Sequence, residues 1–359
     1  MIKARDSNFE LLRIFLMLVI VAHHYIINSG IVNVINEISE IKNYGGGHSC
    51  IALLYGWGGK TAINCFVLIT GWFMCKQEFK WKKLLRLYLE VKFYTITIYF
   101  IFLITGYIQF SYKECFLTIF NVGVGIGKGF TSSFIVFYAL IPFLNKLIKN
   151  IDKKEHGILI LVLLTAISII PTMCFNNSFE YITWYSILYL IAAYIRLYPN
   201  KMSESKKITA IGTLICLMFS YLSIIVIYKV GVKCNHVLDT HYFVADSNKI
   251  LAVVTSIAIF CFFKNISLGQ NKFINTVSSA TFGVLLIHAS SDTMRKWLWQ
   301  DVCKNVWHFQ NDSLSEFLLH AVCCTICVFA LCTIIDLIRQ LIQRKIMGLN
   351  VCLNKKQSQ

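Results

Sequence analysis

The chain has 359 residues, of which 57% are hydrophobic and 14% are charged, and its mean hydropathy is +0.63. A soluble globular domain carries about 25% charged residues, so this composition excludes that class and indicates an integral membrane protein. The net charge of +16 does not indicate nucleic-acid binding, because Lys and Arg are spread over short loops instead of forming one basic domain.

Ten apolar segments follow one another along the chain, each close to the roughly 20 residues that a helix needs to cross a bilayer. They lie near 10–29, 57–75, 85–107, 131–148, 157–173, 181–198, 207–228, 248–265, 273–290 and 315–340. Such long continuous runs favour helices over barrel strands, which would alternate over about 10 residues. The sequence therefore predicts an all-α integral membrane protein with about ten transmembrane helices in one domain, residues 1–359.

Lys and Arg residues are concentrated in alternate loops. The rich loops span Lys76–Arg86, Lys146–Lys154, Arg196–Lys207 and Lys264–Lys272, and the C-terminal tail adds Arg339, Arg344, Lys345, Lys355 and Lys356. By the positive-inside rule, both termini are predicted to be cytoplasmic. Residues 1–10 are polar and show no cleavable signal, so the first span is expected to be retained.

One segment between spans, 108–130, is apolar in part and rich in glycine. Gly123, Gly125, Gly127 and Gly129 match no phosphate-binding loop, so they predict packing or a turn. The segment is a candidate for a re-entrant or interfacial helix.

Cysteine is frequent, with 14 residues, but the spacing does not resemble a zinc site. Cys323, Cys324, Cys327 and Cys332 lie in an apolar run, where cysteine behaves as a small hydrophobic residue. We expect core packing for these residues and no metal.

The first apolar segment contains two residues that are costly to bury in a bilayer, Arg13 and His24. At about 100° per residue, the eleven steps between them amount to three turns plus about 20°, and to about 16 Å along the axis. Both side chains therefore share one face of the helix. An ionisable residue inside a span costs several kcal/mol unless it faces a bundle interior or a wet cavity, so by default it marks a functional site.

Histidine suits general-base catalysis, because imidazole accepts a proton near neutral pH. The alternative for His24 is a core histidine bonded to a backbone carbonyl, and the shared face with Arg13 favours the functional interpretation. His23 points about 100° away and is predicted to pack or to form a hydrogen bond between helices. His288 ends the ninth span and is expected near the same outer face as His24.

Charged residues also mark the start of two spans. Glu10 precedes Arg13 by three residues, a spacing that allows an ion pair, and it also suits the helix dipole at the N-terminus. Lys82, Lys83 and Arg86 begin the third span, with Lys83 and Arg86 on one face. This pair is suited to binding phosphates. The competing interpretation is that these cations lie at the headgroup boundary and only set the orientation of the span in the membrane.

Two groups of polar and aromatic residues lie on the predicted outer side. The first comprises His236, Asp239, His241 and Asp246, and the second Arg295, Trp297 and Trp299. The first group matches no metal pattern and is predicted to form a solvated loop. The second group has side chains able to stack on sugar rings, although aromatic belts at the membrane interface are the commoner reason for such residues.

Several of these segments resemble the membrane-bound acyltransferase 3 family, the integral O-acyltransferases of bacterial surface polysaccharides. The first span, ELLRIFLMLVIVAHHYI at 10–26, has the family's R-x10-H arrangement. Further similar elements are INCFVLITGWFM at 63–74, KKLLRLY at 82–88, ITWYSILYLIAAYIRLY at 182–198 and FINTVSSATFGVLLIHAS at 273–290. The resemblance covers nearly the whole chain.

The resemblance implies ten helices in the bacterial inner membrane, a cytoplasmic acyl-CoA donor such as acetyl-CoA, and transfer to a hydroxyl of a surface polysaccharide or lipid-linked glycan. It implies that His24 is the catalytic histidine, Arg13 its motif partner, and Lys83 with Arg86 the RxxR element that meets the CoA phosphates. Lys83 departs from the family, which has Arg there, and lysine lacks the bidentate fork. The SGNH hydrolase-like domain of some relatives is not expected here.

Two other functions compete with this interpretation. A transporter or glycan exporter would also place charged residues and histidine in its spans, but no two-fold repeat of spans is visible. A structural scaffold would leave Arg13 and His24 unexplained. Within the enzyme interpretation, the sequence leaves open whether His24 acts as a general base or carries the acyl group.

Overall fold

The computed structural model describes residues 7–37, 47–120, 129–174 and 180–357, with side chains up to 346. Every element within these ranges is helical. The first nine helices are α1 Ser7–Ile27, α2 Ile31–Asn36, α3 Gly47–Tyr55, α4 Gly59–Met74, α5 Trp81–Ile104, α6 Tyr112–Phe120, α7 Phe130–Lys149, α8 Lys153–Leu164 and α9 Ile170–Met173. The other α-helices are α10 Tyr181–Leu197, α11 Lys201–Glu204, α12 Lys206–Cys234, α13 Ile250–Lys264, α14 Lys272–Ser279, α15 Thr281–His288, α16 Asp292–Lys296, α17 Asn305–Asn311 and α18 Leu314–Gln357. Two π-helical elements, Thr165–Ile169 and Trp297–Val302, continue α8 and α16.

All ten predicted spans are helical, and the prediction of an all-α membrane protein is confirmed. By length and apolar composition, seven helices of the described chain can cross a membrane, or eight if the bent pair Lys272–His288 and Asp292–Asn311 forms one span. Helices α10 and α13 are apolar but shorter. The count of ten crossings and the cytoplasmic termini stay predictions.

Helix α1 lies inside the bundle, in contact with α4, α13, α14, α15 and α18. Glycine at the junction of α3 and α4 allows this close approach. A Cβ atom at Gly58 would lie 2.4 Å from Cγ1 of Val19, and one at Gly59 would lie 2.3 Å from Cγ of His23. Since real Cβ atoms do not approach so closely, a larger residue at either position would push α4 away from α1.

The outer helices carry a lipid-compatible surface. Helix α5 exposes Leu85, Leu89, Phe93 and Ile101, and α12 exposes a similar row of aliphatic and aromatic side chains. Exposed apolar side chains along a long helix match the hydrocarbon core of a bilayer. The polar face of the bundle therefore lies inside, around α1, α4 and α15.

The loop between α12 and α13 enters the bundle. His236 and Asp239 are exposed, as a solvated loop requires, but His241 bonds through Nε2 to the carbonyl of Leu53 at 3.0 Å. Asn64 donates to the carbonyl of Ser247 at 2.7 Å. The prediction of a solvated loop is therefore wrong from His241 onward, because polar groups of α3 and α4 pair with this part of the loop.

The segment 108–130 contains α6, whose nine residues are all at least partly exposed. Gly129 precedes α7 as its cap residue. Gly123, Gly125 and Gly127 lie outside the described residues. The re-entrant or interfacial helix thus stays a prediction for that part.

Candidate active site

Two histidines from neighbouring helices meet near one end of α1. Nδ1 of His24 lies 2.9 Å from Nε2 of His288, and the ring centroids are 5.0 Å apart. His288 is fully buried and His24 is half-buried. The first and ninth predicted spans are therefore neighbours, which brings the two histidines into direct contact.

The hydrogen bonds of His288 define the tautomers of both rings when they are neutral. Nδ1 of His288 lies 2.6 Å from the carbonyl oxygen of Val284, and a carbonyl only accepts, so this nitrogen carries the proton. Nε2 of His288 is then an acceptor, and Nδ1 of His24 must donate to it. The remaining nitrogen of His24, Nε2, keeps its lone pair and has no hydrogen bond to any described residue. A neutral imidazole in this state can accept a proton or act as a nucleophile.

His23 has a different role. Its Nδ1 donates to the carbonyl of Gly56 at 2.6 Å, and its ring packs against Gly59. The prediction that His23 packs or forms a hydrogen bond between helices is confirmed by its packing on Gly59 of α4, while its hydrogen bond reaches the turn that connects α3 and α4. His23 thereby fixes α1 against the start of α4, and so fixes the rotation of α1 that directs His24 toward α15.

Arg13 lies toward the other end of α1, on the same helix face as His24 by sequence spacing. Its Nη1 donates to Oε1 of Glu10 at 2.7 Å, and the other carboxylate oxygen of Glu10 accepts from Ser278 of α14. Glu10 is 4% exposed. The predicted ion pair is present, and Ser278 ties it to α14.

Two further cations lie within electrostatic reach of His24: Lys60 of α4 and Arg295 of α16. Lys60 donates to Oη of Tyr181 at 2.9 Å and lies 3.9 Å from a carboxylate oxygen of Asp246. Arg295 donates from Nη1 to Asp292 at 2.8 Å. Sequence reasoning did not connect Lys60 or Arg295 with His24, because no local pattern joins these segments.

A groove of about 1280 Å³ runs between α5, α15, α16 and α18. Most of its lining is aliphatic or aromatic, and Lys82 and Arg86 lie at one end. Lys83 does not line the groove. Lys82 and Arg86 are four residues apart and share the face of α5 that lines it, whereas Lys83 follows Lys82 directly and points away from that face. Ile287 lines the groove, but His24 and His288 do not.

A charged cluster closes one wall of this groove. Asp336, fully buried, accepts from Oη of Tyr94 at 2.7 Å, from Nε of Arg339 at 2.8 Å and from Nε2 of Gln340 at 2.7 Å. Arg339 also donates to Glu90 at 2.8 Å. The sequence analysis counted Arg339 among the cations of the C-terminal tail and missed this cluster. An Asp three residues before an Arg inside an apolar run would have indicated a buried ion pair.

The aromatic group on the predicted outer side divides in two. Trp299 is fully buried, so the prediction of an interfacial belt is wrong for this residue, whose ring lies 6.3 Å from that of His288. Trp297 contacts Phe102 with ring centroids 5.7 Å apart and lines the groove. The two rings differ because residues two positions apart on a helical segment do not point in the same direction.

Metal ligation has no support in the described part of the chain, where no cluster of three or more His, Cys, Asp or Glu side chains is suitable. The four cysteines in the first part of α18, between 323 and 332, differ in exposure: Cys332 is buried, Cys323 and Cys327 are exposed, and Cys324 lies with its Sγ 3.2 Å from that of Cys303. Core packing therefore holds for Cys332, whereas Cys323 and Cys327 lie on the outer surface of the helix.

A family model described as an acyltransferase domain matches residues 6–337, nearly the whole chain. Neither the curated proteins nor the solved structures contain a match. The matched region includes both histidines, the Glu10–Arg13 pair and the residues that line the groove up to 337.

Proposed function

Because this chain belongs to the acyltransferase family that matches it over residues 6–337, and is a multi-pass membrane protein, we propose a specific reaction for it. The enzyme transfers an acetyl or other acyl group from cytoplasmic acyl-CoA to a hydroxyl of a surface polysaccharide or lipid-linked glycan. It works in the bacterial inner membrane as one transmembrane domain, and it needs no metal.

The observation that carries this proposal is the chain of hydrogen bonds from Val284 through His288 to His24. It leaves Nε2 of His24 as a lone-pair nitrogen in a half-buried position. In one route Nε2 takes the proton from the acceptor hydroxyl while the oxygen attacks the thioester carbonyl, and it then returns the proton to the leaving thiolate. In the other route Nε2 attacks the thioester carbonyl and CoA leaves as the thiolate; the acceptor oxygen then takes the acyl group from Nε2, and its proton passes to the thiolate.

The donor side of the proposal uses the cationic end of α5. Lys82 and Arg86 are exposed and form no ion pair with another described residue, so they are suited to the CoA phosphates as point charges. Lys83 belongs to the same cluster by sequence. Arg13, partly neutralised by Glu10, lies on the face of α1 that leads from this end toward His24 and is the motif partner of the histidine.

The test compares wild type with His24→Ala, with His236→Ala as the matched control because His236 is an exposed histidine of the loop. Each purified protein is placed in nanodiscs with radiolabelled acetyl-CoA and extracted cell-envelope glycan, and alkali-labile label on the glycan is counted. We expect label with wild type and with His236→Ala, and a loss of about 10²- to 10⁴-fold with His24→Ala, the usual contribution of a general base.

Two results would contradict the proposal. Equal labelling by His24→Ala and wild type would make His24 structural and would move the catalytic role to His288. No label with any variant, together with movement of unmodified glycan across proteoliposomes, would favour an exporter. Circular dichroism and size-exclusion profiles of the three proteins show whether a loss of label reflects folding.

A further inference from the structure

The segment that follows α15 carries three buried polar atoms without a hydrogen-bond partner among the described residues. They are Oγ of Ser290, Nε of Arg295 and Nε1 of Trp299. Buried polar groups in proteins are almost always paired, and an unpaired one calls for an explanation such as a missing ligand. Three within ten residues indicate a site that is completed by something outside the protein chain.

Two of these residues, Arg295 and Trp299, lie near the histidine pair. Trp299 is fully buried, with its ring 6.3 Å from that of His288. Arg295 lies within electrostatic reach of both His24 and His288. Arg295 and Trp299 are four positions apart in a continuous helical stretch, so they share one face.

The local structure suits a binding site. Residues Trp297–Val302 form a π-helix, a rare element that often occurs at functional sites. Asp292 accepts a hydrogen bond from Nη1 of Arg295 at 2.8 Å in an exposed pair, which leaves Nε–H unused. The other cation near His24, Lys60, is already bonded to Tyr181.

The chemistry of the atoms defines the missing partner. Guanidinium Nε–H and indole Nε1–H can donate but cannot accept. Donors of this kind match an oxygen that carries negative charge. In acyl transfer such an oxygen develops on the carbonyl when the tetrahedral intermediate forms.

We propose that Nε–H of Arg295 and Nε1–H of Trp299 form the oxyanion site for acyl transfer at His24, an inference that rests on the proposed function. The acceptor oxygen forms a bond to the thioester carbon while its proton passes to Nε2 of His24. The electron pair of the C=O bond moves onto the carbonyl oxygen, which the two N–H groups stabilise. The C–S bond then breaks, the C=O bond re-forms, and the thiolate recovers the proton from His24 as free CoA.

The test measures kcat and KM for Arg295→Lys and Trp299→Phe in nanodiscs with acetyl-CoA and envelope glycan. Arg295→Lys keeps the charge and removes Nε–H, and Trp299→Phe removes the indole donor. The controls are Lys296→Ala, at an exposed neighbouring site, and Trp307→Phe, at an exposed tryptophan away from the groove. We expect a fall in kcat of about 10²- to 10³-fold for either donor variant, with KM within about threefold of wild type.

The outcomes separate this inference from the function on which it rests. If wild type transfers label and His24→Ala does not, but Arg295→Lys keeps the kcat of the Lys296→Ala control, the oxyanion site is wrong and the function stands. A rise in KM at unchanged kcat would also overturn it, since the donors would then hold the ground-state acceptor. If Trp299→Phe does not fold, as judged by its thermal midpoint, Arg295→Lys decides alone. Absence of transfer by wild type would mean failure of the proposed function.

Discussion

Helix α15 makes polar contacts on two sides, and the two contacts differ in how completely their groups are paired. On one side Gly283 packs against Asp336, whose two oxygens accept from Tyr94, Arg339 and Gln340. On the other side His288 meets His24, whose second nitrogen has no partner among the described residues. A saturated buried network stabilises one arrangement of helices, whereas an unsaturated group remains free to react.

The largest expected effect is on the saturated side. In Asp336→Ala, Glu90 is the one carboxylate among the described residues that still pairs with the largely buried Arg339, so we expect the free energy of unfolding to fall by about 3–5 kcal/mol. Thermal unfolding in detergent measures the change. The matched control is Asp292→Ala, because Asp292 also pairs with an Arg at i+3 but is exposed, and surface pairs contribute about 0–1 kcal/mol. Equal losses for the two variants would show that the α15–α18 contact is not stabilised by burial of the network.

A smaller effect is expected on the unsaturated side. His288→Phe removes the acceptor that orients His24, so we expect kcat to fall by about 10- to 10²-fold, a part of what a general base contributes. The ring of Phe still fills the space, but Nδ1–H of His24 loses its buried acceptor, so the free energy of unfolding should fall by about 1–3 kcal/mol. His288→Gln, which can offer an oxygen to Nδ1–H of His24, should recover part of the rate. A rate unchanged by both substitutions would show that His24 needs no partner.

The smallest effect concerns His241, outside the spans. Burial lowers its pKa below the ordinary value of 6.5. Below pH 6.5 His241 binds a proton in the unfolded chain but not in the folded protein. The contribution of His241 to the free energy of unfolding therefore has its full value above pH 6.5 and falls below that pH by up to about 1.4 kcal/mol per pH unit. His241→Asn keeps a donor for Leu53 and removes the titration. Its stability relative to wild type should therefore rise as the pH is lowered from 7.5 to 5; a constant difference would contradict the assignment.

Local patterns in the sequence predicted what one helix determines by itself. The shared face of Arg13 and His24 and the Glu10–Arg13 pair depend only on helical periodicity, and the helical class follows from composition. The contact between His24 and His288 required knowing that spans 264 residues apart are neighbours, which no local pattern contains. The same limit hid the ion pair of Glu90 with Arg339 and the burial of Trp299.

The sequence also did not determine which face of α5 is turned toward the groove. Lys83 was selected as the phosphate-binding partner of Arg86, yet the groove is lined by Lys82 and Arg86. Both spacings, i+3 and i+4, are compatible with one helix face, and only the neighbours α15 and α18 determine which of them faces the groove. The role of each lysine toward a donor stays a prediction.

The ion pair within α1 bears on how the protein is made. Ser278, the partner of Glu10 on α14, lies 268 residues further along the chain, so α1 leaves the ribosome long before this partner exists. A lone Arg in a span is expensive to insert, but Glu10 and Arg13 together carry no net charge and pair within a single helical turn. Helix α1 can therefore insert into the bilayer with its charges already paired, before α14 is synthesised.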